Sequence, residues 1–210
     1  MTGTAPPFDT FDPISLASDE FTVPVEASPA AENADVPEAQ PKPPKRIVLT
    51  GFMGAGKTTV GDLLAKRLAW RFTDADAVIE EATGATIAQL FAERGEPWFR
   101  QVEYETVQGL LGSDSLVLAL GGGAIEDSRT RELLLSSAET RLIHLEASLE
   151  TVLKRCEGTE SLRPVLQNRP LLEDRYQLRL PLYRESHLSI PVDSLPPGAI
   201  VEVIVKTLAL

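Results

Sequence analysis

Residues 51–58 read GFMGAGKT, which fits the pattern G-x-x-x-x-G-K-[ST] of a loop that wraps the phosphates of a nucleotide. The apolar run at residues 46–50 precedes this loop and predicts a buried strand, and residues 58–68 have the periodicity of a helix. A strand, a glycine-rich loop and a helix, in this order, are the context that the motif needs. The stretch therefore predicts a nucleotide-binding α/β domain, in preference to a glycine-rich turn before an ordinary helix.

The residue types in this loop suit phosphate binding. Glycines let backbone N–H groups turn towards the phosphates, and the N-terminus of the following helix adds a partial positive charge. We expect Lys57 to reach the β- and γ-phosphates and Thr58 to offer its hydroxyl to Mg²⁺. The loop thus predicts a bound nucleotide and a magnesium ion beside it.

The 210 residues carry a net charge of −11, and most of it lies at the N-terminus. Residues 1–44 contain nine prolines, many alanines, and eight acidic residues against a single lysine. A segment of this composition cannot bury enough apolar surface to offset its loss of conformational entropy. We therefore predict a disordered, solvated tail over residues 1–44, with a docking role as the alternative, and a folded domain over residues 45–210.

Charge and apolar patterning argue against several classes of function. Outside the tail the chain is only mildly acidic and has no broad basic face, so nucleic acid is not an expected partner. The sequence has no apolar run of about 18 residues or more, no secretory signal and no arginine-rich transit peptide. Its single cysteine, Cys156, excludes an internal disulfide and is expected to be a small side chain near a helix end. These features predict a cytoplasmic protein.

Predicted strands and helices alternate from Arg46 onward. The predicted strands are residues 46–50, 70–73, 115–120, 140–145 and 188–192. The predicted helices are residues 58–68, 77–81, 87–94, 98–111, 128–136, 149–155, 173–184 and 198–208. Apolar strands separated by helices indicate a three-layer, doubly wound parallel sheet of about five strands. Ligands of such sheets bind at the carboxyl ends of the strands.

Polar residues and glycines follow two of the predicted strands. Asp74 and Asp76 come directly after the second strand, and extended backbone with a period of two places both carboxylates on one side. One carboxylate would then lie near Mg²⁺ while the other reaches a substrate hydroxyl; helix capping is the alternative. Residues 121–123 are three glycines after the central strand, and they allow backbone to approach a ligand or form a flexible turn.

Arginines supply groups that can bind both substrates. The guanidinium is a planar fork that matches carboxylate and phosphate oxygens, although a solvated surface position is the alternative for any single arginine. The candidates are Arg100, Arg155, Arg163, Arg169 and Arg179.

Taken together, these motifs resemble the shikimate kinase family over about residues 46–208. Each later motif is short, and the specificity lies in their order and spacing. The matching stretches are GFMGAGKTTVG at 51–61, FTDAD at 72–76 followed by Ile79 and Glu80, GEPWFR at 95–100 with Glu103, GGG at 121–123, RPVL at 163–166 and RLPLY at 179–183. The resemblance implies ATP-dependent phosphorylation of the 3-hydroxyl of shikimate, in aromatic amino acid biosynthesis.

The resemblance also implies roles on the acceptor side. Asp76 would hydrogen-bond hydroxyls of shikimate, Arg100 and Arg179 would clamp its carboxylate, and the glycines would line the pocket. The implied substrate-binding set is Asp76, Arg100, Gly121, Gly122, Gly123 and Arg179.

On the donor side, the resemblance implies catalytic roles for Lys57, Asp74 and Arg163. Asp74 would hold the water shell of Mg²⁺ or help to deprotonate the hydroxyl, and Arg163 would reach the transferring phosphate from a mobile lid at about residues 156–172. Arg155 and Pro197 match positions that flank adenine. The implied nucleotide-binding set is Gly54, Ala55, Gly56, Lys57, Thr58, Thr59, Arg155, Arg163 and Pro197, and the metal set is Thr58 and Asp74.

Some alternatives stay open at this point. The lid contains RPVL at 163–166 and RPLL at 169–172; the interval from Arg155 favours Arg163 as the lid arginine, whereas the second motif looks more like the family's usual one. Rival functions are another small-molecule kinase of this fold, of the gluconate type, and a catalytically silent kinase-like binding protein. We expect a small-molecule substrate, no nucleic-acid or membrane partner, and a monomer.

Overall fold

The computed structural model describes residues 43–158 and 168–210. Residues 1–42, which make up most of the predicted tail, lie outside the described residues. So do residues 159–167, which include Arg163. What the sequence predicts for the tail and for Arg163 therefore stays a prediction.

Within the described residues, a five-stranded parallel sheet forms the centre of the fold, which confirms the predicted class. The strands are β1 (Arg46–Thr50), β2 (Arg71–Asp74), β3 (Leu116–Ala119), β4 (Thr140–Glu146) and β5 (Leu188–Pro191), in the spatial order β2-β3-β1-β4-β5. Strand β1 lies between β3 and β4, and Val48 stands opposite Leu118 on one side and Leu142 on the other. The chain order thus reverses at β1, which is the position where sheets of this type bind ligands.

Helices connect the strands. The α-helices of the described residues are α1 (Lys57–Leu68), α2 (Ala75–Thr83), α3 (Ile87–Arg94), α4 (Glu96–Leu110), α5 (Ser128–Leu135), α6 (Leu149–Cys156), α7 (Arg169–Tyr183) and α8 (Pro197–Leu208). A short 3-10 helix, Ala124–Glu126, follows the glycine triplet and is absent from the sequence prediction. No helix in the described part of the chain has both the length and the apolar character that crossing a membrane requires.

The core lies around the two central strands. Ile47, Val48 and Leu49 on β1 are fully buried, and no residue of β3 is more than 1% exposed. Burial on both faces explains why these strands read as unbroken apolar runs instead of alternating ones. A smaller cluster of Ile79, Leu90 and Phe99 joins α2, α3 and α4 beside the main core.

Local capping residues set several helix boundaries. Thr86 and Gln89 form a reciprocal capping box at the start of α3, and Asp127 caps α5. Helix α7 begins at Arg169, earlier than the predicted start at residue 173. Asn168 accepts a hydrogen bond from the backbone N–H of Leu171, and Pro170 fits the first helical turn, where its missing N–H costs nothing. The RPLL element at 169–172 is therefore the first turn of α7.

Candidate active site

The phosphate loop connects β1 to α1. Gly54 and Gly56 have φ angles of 74° and 98°, in the left-handed region that favours glycine. A Cβ on Gly54 would lie 2.9 Å from Sγ of Cys156 at the end of α6, so the close packing of α6 also requires glycine there. Cys156 is thus a buried packing residue near a helix end, as predicted.

Lys57 lies at the first position of α1 and points across the loop. Its Nζ donates to the backbone oxygen of Gly51 at 2.7 Å and of Phe52 at 3.2 Å. The ammonium group is therefore held on the inner side of the loop, close to the backbone N–H groups that the motif directs at phosphates. Thr58 and Thr59 follow in the exposed first turn of the helix.

Thr58 and Asp74 are in direct contact, although they come from different strand–helix units. Thr58 Oγ1 donates to Asp74 Oδ2 at 3.0 Å. The other carboxylate oxygen, Oδ1, accepts from the backbone N–H of Asp76 at 3.1 Å and so caps helix α2. Asp74 therefore caps α2, which was the alternative weighed from the sequence, and it also contacts Thr58 of the phosphate loop. Its place beside Mg²⁺ stays a prediction.

The predicted backbone at Asp76 is wrong. Asp74 ends β2 and Asp76 already belongs to the first turn of α2, so the two residues do not share one extended stretch. The cap formed by Asp74 starts the helix at Ala75, earlier than residue 77. Both side chains still lie at the carboxyl end of β2. The helix turn directs Asp76 to the glycine triplet and leaves Asp74 with Thr58.

A hydroxyl and a carboxylate in contact beside a phosphate loop fit the ligand preference of Mg²⁺, which binds few protein oxygens and keeps waters and substrate phosphates. Residues 43–158 and 168–210 contain no group of three or more His, Cys, Asp and Glu side chains able to hold a metal ion on their own. The pair Thr58 and Asp74 therefore fits a magnesium ion that the nucleotide helps to bind.

Arg100 and Arg179 come from α4 and α7 and meet at one carboxylate. Arg100 Nη2 donates to Glu126 Oε2 at 3.2 Å, and Arg179 Nη2 donates to the same oxygen at 2.8 Å. Their side chains are only 14% and 9% exposed. The structure thus brings together the two arginines that the sequence predicted to act as a pair.

The glycine triplet lies against these side chains. A Cβ on Gly121 would lie 2.6 Å from Asp76 Oδ1 and 2.8 Å from Glu103 Oε1, and a Cβ on Gly123 would overlap the guanidinium of Arg100. The hydroxyl of Tyr183 donates to the backbone oxygen of Gly122 and so ties α7 to the triplet. The triplet is therefore a closely packed wall of the site instead of a flexible turn.

Burial perturbs two carboxyl groups on this side of the site. Burial raises the pKa of Glu103 to about 7, because its cost to the charged form outweighs the opposing attraction of Arg100, whose Nη1 donates to Glu103 Oε2 at 2.6 Å. Burial, followed by the repulsion of Asp74, also raises the pKa of Asp76. Perturbed carboxyl groups that face one another are typical of a functional site.

Arg155 lies on the other side of the phosphate loop. Its Nη1 donates to the backbone oxygens of Gly54 and Ala55, both at 3.3 Å, and its Nη2 donates to Val192 at 2.9 Å. A surface depression of about 430 Å³ begins here and is lined by Glu150, Thr151, Lys154, Arg155 and Asp193. Pro197 is the exposed first residue of α8, and its role beside adenine stays a prediction.

Sequence reasoning left two site residues without a role. Glu103 was quoted with the GEPWFR motif at 95–100. It lies three residues after Arg100, a spacing that favours an ion pair on one face of a helix. Glu126 had no such signal, because the 3-10 helix that carries it was not predicted and its partners are distant in the chain.

Comparisons with known proteins show which proteins this chain resembles. A family model described as shikimate kinase matches residues 53–209. A shikimate kinase from Thermus thermophilus is 40% identical over 171 residues, which cover 80% of this chain and 92% of that protein. One from Persephonella marina is 38% identical over 158 residues, covering 75% of this chain and 94% of that protein.

Solved structures give the same result. A shikimate kinase from Acinetobacter baumannii in complex with shikimate has a TM-score of 0.73 and 37% identity, over 79% of this chain and 93% of that one. A gluconokinase from Sinorhizobium meliloti has a TM-score of 0.52 and 19% identity, over 79% and 92% of the two chains. The second likeness extends to the fold alone.

Proposed function

Since this chain belongs to the shikimate kinase family, we infer that it transfers the terminal phosphoryl group of ATP to the 3-hydroxyl of shikimate, giving shikimate 3-phosphate and ADP. The observation that supports this acceptor best is the meeting of Arg100 and Arg179 beside the glycine triplet. Two guanidinium forks at one point suit a carboxylate, and shikimate is a small ring with one carboxylate and several hydroxyls.

On the acceptor side, Arg100 and Arg179 bind the carboxylate of shikimate and Asp76 accepts hydrogen bonds from its hydroxyls. Gly121 lies beside Asp76 and leaves room for the shikimate ring. A larger residue at this position would fill the space next to the carboxylates of Asp76 and Glu103. The arginines hold the carboxylate at one end of the shikimate ring, and this fixes the position of the 3-hydroxyl at the other end. Such positioning supplies much of the rate enhancement in phosphoryl transfer.

On the donor side, the backbone N–H groups of residues 54–59 and the N-terminus of α1 bind the phosphates of ATP. Lys57 turns from the carbonyl oxygens of Gly51 and Phe52 to the β- and γ-phosphate oxygens. Arg155 flanks adenine beside the depression next to α6, together with Pro197.

Thr58 and Asp74 would hold Mg²⁺, which neutralises charge on the phosphate oxygens when it is bound. We propose that Asp74 serves this organising role instead of acting as a strong base. Each of its oxygens already accepts a hydrogen bond, from Thr58 and from the backbone of Asp76. A loose transition state makes little demand on a base, so the hydroxyl needs orientation by Asp76 more than early deprotonation.

Arg163 would complete the set of cations around the transferring phosphoryl group, from a lid that closes over the site and excludes water. All of these groups belong to one chain, so a monomer suffices for activity. We further propose that the protein acts in the cytoplasm, where shikimate and ATP are the small molecules that it binds.

Replacing Arg100 with lysine tests the acceptor assignment. Lysine keeps the charge beside Glu103 but loses the planar fork, so the KM for shikimate should rise by about tenfold or more, while the KM for ATP stays within about twofold. Arg129→Lys is the matched control, because Arg129 is half exposed and pairs with Asp127, the residue that caps α5. An unchanged KM for shikimate in a folded Arg100→Lys protein would contradict the assignment.

A further inference from the structure

Glu126 binds both arginines of the acceptor site through one atom. Its Oε2 lies 3.2 Å from Arg100 Nη2 and 2.8 Å from Arg179 Nη2. Glu126 ends the 3-10 helix that begins directly after the glycine triplet, so its backbone is part of the wall of the acceptor site. A carboxylate of the chain itself therefore makes the same pairing that we propose for the carboxylate of shikimate.

The hydrogen bonds of Arg100 indicate why the carboxylate of Glu126 and that of shikimate would compete for the same N–H groups. Nη1 donates to Glu103 at 2.6 Å, and Nη2 donates to Glu96 at 3.0 Å and to Glu126 at 3.2 Å. A guanidinium Nη has two hydrogens, so both hydrogens of Nη2 have acceptors. An incoming carboxylate that bridges Nη2 of Arg100 and Nη2 of Arg179, as Glu126 does, would compete with Glu126 for these N–H groups.

Exposure indicates which carboxylate can leave. Glu103 is 2% exposed, so breaking its pair would strand a buried charge. The side chain of Glu126 is 35% exposed and can turn into water, where its charge is solvated. Glu96 is 57% exposed but pairs with Arg100 and not with Arg179. Glu126 is therefore the displaceable carboxylate that bridges the pair.

We propose that Glu126 is a tethered carboxylate that occupies the substrate-carboxylate position between Arg100 and Arg179 and is displaced when the acceptor binds. The proposal rests on the function proposed above. It has two consequences for specificity: the arginine pair stays ordered before substrate arrives, and a ligand must itself bring a carboxylate to compensate for the bond that Glu126 loses. The cost of the displacement appears as a weakened affinity for the acceptor.

Glu126→Gln tests this proposal, because the amide keeps the shape of the side chain and removes its charge. The KM for shikimate should fall by about threefold to tenfold, as expected when a partly exposed ion pair no longer competes. Benzoate, a ring carboxylate without hydroxyls, should bind the variant more tightly by a similar factor in calorimetry. Glu132→Gln, which removes one charge from the exposed side of α5, should change neither value.

The two readouts separate this proposal from the proposed function. If the wild-type protein did not phosphorylate shikimate, the proposed function would fail, while benzoate binding would still report on Glu126. If Glu126→Gln left the benzoate affinity unchanged or lowered it, the tethered carboxylate would be ruled out. The same conclusion would follow if the wild-type protein turned over shikimate and the variant had an equal or higher KM for it.

Discussion

Glu103 is a buried acid that pairs with Arg100 in the proposed acceptor site. It holds Arg100 through one oxygen, and its other oxygen, Oε1, is buried without a hydrogen-bond partner within the described residues, facing Gly121 and Asp76. Its pKa of about 7 means that folding favours the protonated form of this side chain relative to a solvated glutamate. The residue therefore links the stability of the protein to pH.

The sign of this link follows from the raised pKa. Below about pH 4.5 the carboxyl is protonated in the folded and the unfolded chain, and its contribution to stability is complete. As the pH rises towards 7, only the unfolded chain ionises, so the free energy of unfolding falls. Between pH 5 and pH 8 this group should remove about 2 kcal/mol.

Glu103→Gln removes that titration. The free energy of unfolding of the variant minus that of the wild-type protein should rise by about 2 kcal/mol from pH 5 to pH 8. This change is expected whatever the difference between the two proteins is at either pH alone. Urea denaturation at both pH values measures the difference, with Glu132→Gln as the control. If the two proteins differ in the free energy of unfolding by the same amount at pH 5 and pH 8, Glu103 does not titrate in this range.

At the same scale, the sequence predicted which residues are candidates for the site, but it did not predict all of the contacts that they make. Asp74, Asp76, Arg100 and Arg179 could be found because each stands in a motif next to a predicted strand or helix. Glu126 could not, since its contacts with α4 and α7 depend on how distant elements pack. Long-range pairing of this kind leaves no periodic signal in the sequence.

The glycine triplet between β3 and the 3-10 helix is the element that joins the side chains of the proposed acceptor site. Its backbone follows the carboxyl end of β3 and lies against Asp76 from α2, Arg100 from α4 and Tyr183 from α7. The space for these contacts exists because the triplet has no side chains.

Gly121→Ala should disrupt this element. The new methyl group would meet Asp76 Oδ1 and Glu103 Oε1, so the KM for shikimate should rise by about tenfold and stability should fall by about 1 to 3 kcal/mol. Gly109→Ala is the matched control: nothing within the described residues lies within 4 Å of its Cβ position, and alanine in helix α4 should add about 0.5 to 1 kcal/mol. Steady-state kinetics and urea denaturation measure both effects. Equal behaviour of the two variants would contradict the close packing.

Element types could be predicted from the sequence, but some boundaries could not. The strands and most helices follow from apolar periodicity, as in α3, which runs over the predicted residues. Helices α2 and α7 begin earlier than predicted, because Asp74 and Asn168 supply side-chain caps at those points. Whether a polar residue caps a helix or belongs to a loop is decided by geometry that its residue type alone does not fix.

For the whole molecule, strand order explains why residues far apart in the chain form one site. Strand β1 lies between β3 and β4, so the phosphate loop after β1 and the glycine triplet after β3 emerge at the same edge of the sheet. Strand β2 adds Asp74 at that edge. The proposed donor and acceptor halves of the site thus depend on the parallel topology, which the alternation of strands and helices predicted.

The folded domain should not need the N-terminal segment. Pro44 is buried and the backbone N–H of Lys45 donates to Glu139 at 2.9 Å, so the described fold begins at this point. Deleting residues 1–42 should change the Tm by less than about 2 °C and leave turnover nearly intact. Thermal unfolding and kinetics of the truncated and full-length chains test this, and a Tm lowered by about 10 °C would contradict the predicted solvated tail.

The most direct test of the central claim is the rate of ADP release by the purified full-length protein with ATP and Mg²⁺, measured with and without shikimate. The proposed function predicts a rate that rises to saturation with shikimate, is negligible without it, and is not restored by gluconate or a nucleoside monophosphate. ADP release that is equally fast without shikimate, or that requires one of the other acceptors instead, would contradict the assignment of Arg100, Arg179 and Asp76 to shikimate.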